Sequence, residues 1–145
     1  MKHILIALAL IALCLPLLAQ KADDITGEWY NSTKITKLQI YKTAAGSYAG
    51  KIIWLKDPKD ANGKPKLDEK NPDKKLRDRG IMNLVILTGL DYKNKNNYEG
   101  GRIYDPQSGN TYKCKAELVG GNSLKLRGYI GVSLIGRTEI WTRAK

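Results

Sequence analysis

The 145-residue chain has no phenylalanine, one histidine and two cysteines. Each scarcity excludes chemistry. His3 precedes an unbroken apolar run, Ile4 to Leu15, which Pro16 ends and Leu17-Leu18-Ala19-Gln20 follows. A basic start, an apolar stretch of this length and a small residue behind it form the pattern of a secretory signal. A membrane span needs roughly 20 apolar residues, so the run is short for an anchor. Acylation at Cys14 is the alternative, but Leu13 stands where a lipoprotein signal needs a small residue. Removing residues 1–20 removes His3 and Cys14. The remaining chain has no imidazole, which excludes Ser-His-Asp and Cys-His catalysis and His-ligated zinc. It also has one thiol, Cys114, and no partner for an internal disulfide. No catalytic constellation and no cofactor motif emerges, and an enzyme is not expected.

Acidic residues are also in the minority, 14 against 25 Lys plus Arg, for a formal charge of +11. The lysines are spread along solvent faces and loops rather than on an aromatic stacking face, and export removes nucleic acid as a partner. An anionic envelope surface or polysaccharide fits the charge better, and solubility alone fits it equally well.

Helical periodicity is nearly absent, whereas strand patterns recur. Strands are expected over 24–30, 36–42, 47–55, 83–90, 98–104, 110–118, 123–129 and 136–143. Thr36 to Lys42 alternates, with Leu38 and Ile40 on one face. In the strand 111–118, Cys114 shares a face with Tyr112, Ala116 and Leu118, which predicts a packed thiol. Hairpin-length turns such as Asp105-Pro106-Gln107-Ser108-Gly109 and Gly120-Gly121-Asn122 join most of these segments. About eight meandering strands predict a closed antiparallel barrel, with an open sandwich as the alternative. Gly128, Gly131 and Gly136 are expected at bends.

One segment breaks the pattern. Residues 56–80 hold nine Lys or Arg and six Asp or Glu, with little that is apolar. Loops of this length are functional or mobile, and the composition favours a solvated excursion. Asn71-Pro72-Asp73 predicts a helix start and about two turns over 72–79. Asp60, Asn62, Gly63 and Glu69 fall at calcium-loop spacing, but Pro58 at the first place offers no side-chain oxygen, so no metal site is expected. Asp68 and Asp105 are the best-placed carboxylates for acid–base work. Asp105 before Pro106 suits a turn, and nothing fixes a second carboxylate opposite it. Asn31-Ser32-Thr33 matches a glycosylation sequon.

Gly27-Glu28-Trp29 in the first strand, with Arg137 and Arg143 in the last, resembles the signature of lipocalin-like calycin barrels. There the Trp plugs the closed end and an Arg covers its face. A wider series is more specific. It runs through Gly50-Lys51-Ile52-Ile53-Trp54-Leu55-Lys56-Asp57-Pro58, Asp68-Glu69-Lys70-Asn71-Pro72-Asp73 and Leu76-Arg77-Asp78-Arg79. It continues through Gly101-Arg102-Ile103-Tyr104-Asp105-Pro106 and Arg127-Gly128-Tyr129-Ile130-Gly131. It ends in Gly136-Arg137-Thr138-Glu139-Ile140-Trp141-Thr142-Arg143. This order and spacing resembles the exported bacterial proteins grouped as domain of unknown function 2147. The stretch Arg79-Gly80-Ile81-Met82-Asn83 departs from that pattern, which has Arg-Pro followed by Gly. The resemblance implies one small lipocalin-like barrel over 21–145, outside the cytoplasm, and no established reaction. Gly27, Trp29, Arg137, Trp141 and Arg143 take structural roles.

Two functions remain open. One is a barrel binding a small apolar or amphipathic molecule, lined by Trp54, Tyr104, Arg127 and Tyr129, with Arg77 or Arg79 reaching in for an anion. The other is a non-catalytic interaction module with a filled barrel, working through its basic surface or the 56–80 loop.

Overall fold

The computed structural model describes residues 21–145; the expected signal segment, 1–20, lies outside the described residues. Eight antiparallel strands close into a barrel in chain order. They are β1 (Gly27–Tyr30), β2 (Thr36–Lys42), β3 (Tyr48–Leu55), β4 (Val85–Asn94), β5 (Asn97–Asp105), β6 (Asn110–Val119), β7 (Ser123–Tyr129) and β8 (Gly136–Arg143). Each strand was anticipated within a few residues. The largest difference is β4, which runs on to Asn94 because the turn needs only Lys95 and Asn96, both at positive φ.

Alternation sets the inside. Trp29, Leu38, Ile40, Ile52, Leu87, Leu90, Tyr98, Cys114, Ala116, Leu118, Leu124, Leu126 and Trp141 are all buried. Bulges interrupt the alternation in β3, β4 and β5. Within β4 and β5 the positive-φ glycines are Gly89 and Gly100, whereas the expected Gly128 and Gly136 have no positive φ. Gly128 and Gly136 lie in regular β7–β8 pairing, and only Gly131, in a loop, bends the chain.

The meander gives the barrel two unlike ends. The short turns 43–47, 95–96 and 120–122 share one end with both termini of the barrel. The connections 31–35, 56–84, 106–109 and 130–135 share the other. The first end is closed. Residues 21–26 cross it, with Ile25 buried, the Tyr98 hydroxyl donating to the Ala22 carbonyl at 2.8 Å and the Tyr48 hydroxyl to Asp23. The indole N–H of Trp29 donates to the Ile25 carbonyl at 2.9 Å, and Arg143 lies over its ring, 4.2 Å from the centroid. This cation–π stack accounts for the Gly-x-Trp and Arg pattern. The seam between β1 and β8 has only two paired positions, Trp29↔Arg143 and Tyr30↔Thr142. Arg143 staples it by donating to the carbonyls of Asp24, Thr26 and Gly121 at 2.7–2.8 Å. Gly27 is required here: its φ is +127°, and a Cβ would sit 2.7 Å from the Arg143 guanidinium. Arg137 does not share this role. It stands at the opposite end, exposed, 3.8 Å from Glu139.

The 56–84 connection is ordered, against the expectation of a solvated excursion. Lys59 pairs with Pro65, and Leu67 with Gly80, so it folds back on itself through two isolated β-bridges. The expected two-turn helix is a single 3-10 turn, Lys74–Leu76. Its cap is Asp73 rather than Asn71, accepting from the Lys75 amide. Asn71 still accepts from the Asp73 amide at 2.9 Å through its side-chain oxygen, and its amide nitrogen is used elsewhere, as described next.

Candidate functional site

The excursion is pinned to the barrel by one carboxylate. Asp68 is fully buried and takes four hydrogen bonds from three side chains. Tyr104 donates its hydroxyl to Oδ1. Asn71 donates to Oδ2 at 2.8 Å, and Arg79 donates to the same oxygen through Nε at 2.9 Å and Nη2 at 2.8 Å. The Asp68 amide also donates to the Arg79 carbonyl at 2.9 Å. Burial alone would raise the Asp68 pKa. The donors from Tyr104, Asn71 and Arg79, with the Arg79 charge, outweigh it and hold the carboxyl below its ordinary value. Burial and the bond to Asp68 push the Tyr104 hydroxyl up to about 12, so it stays a donor. Every donor on Asp68 comes from the chain itself. These bonds make the group a structural pin between the excursion and β5.

The pin lies on the outside of the barrel wall. Ile103 pairs with Leu87 and Tyr112 on the inner face, so Tyr104 falls on the outer one. A second tether lies at the β5–β6 turn. A Cβ on Gly109 would stand 2.0 Å from the Lys70 carbonyl oxygen, so excursion and turn are in backbone contact. Asp105 does what its turn position suggests, accepting from the Gln107 amide at 3.0 Å and the Ser108 hydroxyl at 2.6 Å.

Between the excursion and the barrel's open end lies a cleft of about 440 Å³. Thr36 and Leu55 pair across β2–β3 on the inner face and form its floor. Ile35, Leu67, Ile81 and Pro106 add apolar wall, and Gln107 adds an amide. Lys66 and Lys70 stand on its rim with Asp57, Asp60 and Glu69. This cleft is therefore at the mouth; a second hollow of about 430 Å³ lies against the outer wall, lined by Glu99, Lys115, Tyr129 and Val132. Deeper in, the barrel is filled by Trp29, Tyr48, Tyr98 and the aliphatic core.

None of the expected lining residues faces the interior. Trp54 pairs with Lys37 on the outer face, is 38% exposed, and packs edge-on against Tyr30 with ring centroids 5.9 Å apart. Arg127 and Tyr129 alternate with the inward Leu126 and Gly128 and so point outward. Tyr104 is held by Asp68. Arg79 is committed to Asp68, and Arg77 donates to the Asn71 carbonyl at 2.8 Å, so neither reaches into the mouth for an anion. The residues that do form the cleft, Thr36 and Leu55, were missed. The alternation of Thr36 with Leu38 and Ile40 was a signal for the first. Leu55 follows a bulge that no pattern in the sequence marks.

The pattern of the family described as "Uncharacterized protein conserved in bacteria (DUF2147)" matches residues 27–143. The chain belongs to this DUF2147 family. A solved structure has the same fold: protein HP1028 from the human pathogen Helicobacter pylori, described as belonging to the lipocalin family. It is 23% identical, with 83% of each chain covered and a TM-score of 0.72. No curated protein matches the chain significantly. The DUF2147 match spans the Gly27–Trp29 plug, the Asp68 pin and the Arg143 staple, and leaves out residues 21–26, which cross the closed end.

Proposed function

We propose that the protein is an exported, non-catalytic binding barrel that takes a small amphipathic molecule at its open end. The observation that carries this reading is the mouth cleft: an apolar floor and wall from Leu55, Leu67 and Ile81, under a charged rim of Lys66, Lys70, Asp57, Asp60 and Glu69. Pockets that bind small molecules have this make-up, mostly apolar with a few placed polar groups. The filled lower barrel favours a second reading, an envelope-associated interaction module without a ligand.

Titration with a dansylated fatty acid separates the two. Saturable binding with a Kd in the micromolar range is expected, about −8 kcal/mol. Leu55→Glu places a charge on the apolar floor and should weaken binding at least about tenfold. Absence of saturable binding, or equal affinity in the variant, would favour the interaction module.

A further inference from the structure

The β7–β8 connection at the open end exposes its largest side chains. Ile130, Val132, Leu134 and Ile135 are each between 60% and 88% exposed. Four such residues in six positions form a continuous apolar tip, which a soluble surface rarely carries without use.

The tip is held in shape from beneath. Arg127 on β7 donates through Nε to the Ser133 carbonyl at 2.6 Å and through Nη2 to the Leu134 carbonyl at 3.3 Å. Its Nη1 donates to the Thr138 hydroxyl at 2.9 Å. The Ile130 amide donates to the Ile135 carbonyl at 3.2 Å, and the Ile135 amide to Val132 at 3.1 Å. The guanidinium thus satisfies the loop carbonyls and leaves the apolar side chains outside. Charge surrounds the tip. Arg137, with its side chain 85% exposed, follows on β8, and Lys113 reaches the Gly131 carbonyl at 3.5 Å. The connections at this end together carry ten Lys or Arg against six Asp or Glu. At the closed end, the terminal segments and turns carry Lys21, Lys95 and Lys145 against Asp23 and Asp24, an excess of one rather than four.

We propose that residues 130–135 are a bilayer-insertion tip that seats the open end of the barrel on an anionic lipid surface. Six residues offer little area to a protein partner, whose interfaces need many residues a side. A bilayer deforms around such a tip, takes up its aliphatic side chains at the headgroup boundary, and attracts the basic rim. This inference does not depend on a ligand occupying the mouth cleft.

The test uses residues 21–145, which contain the complete closed barrel, carrying an environment-sensitive nitrobenzoxadiazole probe on Leu134→Cys. Asn122→Cys, at the closed end, is the control; the native Cys114 is buried and does not compete for the label. Vesicles of phosphatidylglycerol and phosphatidylethanolamine should shift the Leu134→Cys probe to the blue and leave the Asn122→Cys probe unchanged. The double variant Leu134→Ser, Ile135→Ser should lose vesicle partitioning at least about tenfold. Arg137→Glu should lose about tenfold on these vesicles and little on phosphatidylcholine. These residues are exposed, so circular dichroism should be unchanged in each variant. A probe at 134 that stays in water, or equal responses at 134 and 122, would overturn the proposal. A shift at 134 that grows with protein concentration in the absence of vesicles would overturn it too, assigning the tip to a second copy of the chain. Fatty-acid titration is done without vesicles, so failure there bears on the cleft and not on the tip.

Discussion

Asp68→Ala should release the excursion and leave the barrel standing. The substitution removes the acceptor for Tyr104, Asn71 and both Arg79 donors. A hydrogen bond to a charged group contributes about 1.5–3 kcal/mol, and a buried donor left unpaired costs about 1–3 kcal/mol. Arg79 is partly exposed and regains water, so its share is discounted. A net loss of about 2–3 kcal/mol is expected. Of these groups only Tyr104 packs against the barrel core, and it does not depend on Asp68 for its place in β5, so most of the loss falls on local opening of residues 56–84. Trypsin reads this directly, because nine Lys or Arg lie between 56 and 80. Where opening is fast relative to cleavage, the rate follows the open population, so cutting should rise about 30- to 150-fold. The global denaturation midpoint should move little. Acid should reproduce the effect. The Asp68 pKa is held below its ordinary 3.8, so its contribution is complete above that value and is lost as pH falls through the folded value. Hydrogen exchange in the excursion, corrected for intrinsic rates, should therefore accelerate below about pH 4 in the parent and not in Asp68→Ala. An unchanged trypsin rate would show that the Gly109–Lys70 contact, and not Asp68, holds the excursion.

Two further outcomes test the closed end and the core. Trp29→Ala should cost about 3–5 kcal/mol in chemical denaturation, because it empties the plug under Arg143 and removes the bond to Ile25; an unchanged midpoint would refute the plug. Cys114 is fully buried, and burial pushes its thiol up to about 12, so native protein should react with thiol reagents far more slowly than denatured protein, and rapid native labelling would refute that packing.

The barrel was legible because its signals are local. Leu38 and Ile40 alternate, as do Cys114, Ala116 and Leu118, and turn residues separate the segments. The closed end was legible because Gly27, Trp29 and Arg143 each do something only that residue type does well. The mouth was not legible, for two separate reasons. In β3 a bulge beside Ile53 reverses the faces, so Trp54, two residues after the buried Ile52, turns outward and Leu55 turns in. In β7 no bulge intervenes. Leu124 and Leu126 place Arg127 and Tyr129 on the outer face by alternation alone, whatever their aromatic or cationic chemistry suggests.

The excursion failed to read for a deeper reason. Its composition is that of a solvated loop, and most of its length is exposed. Order comes from a few buried polar atoms: Asp68 and Asn71 are the buried polar residues, and their partners lie 3, 11 and 36 positions from Asp68. Hydropathy cannot register such a network, because each member is counted as solvent-seeking. Only the pairing removes the penalty for burying it. The same logic separates Arg127 from an expected ligand contact. A guanidinium beside an apolar loop looks poised for an anion, yet its donors are spent on the Ser133 and Leu134 carbonyls and the Thr138 hydroxyl. Spending them there holds the loop backbone while Ile130, Val132, Leu134 and Ile135 face outward. In this barrel side-chain hydrogen bonds, buried at Asp68 and half-buried at Arg127, hold two connections at the open end in place, and the aliphatic side chains of residues 130–135 are left free to meet a partner.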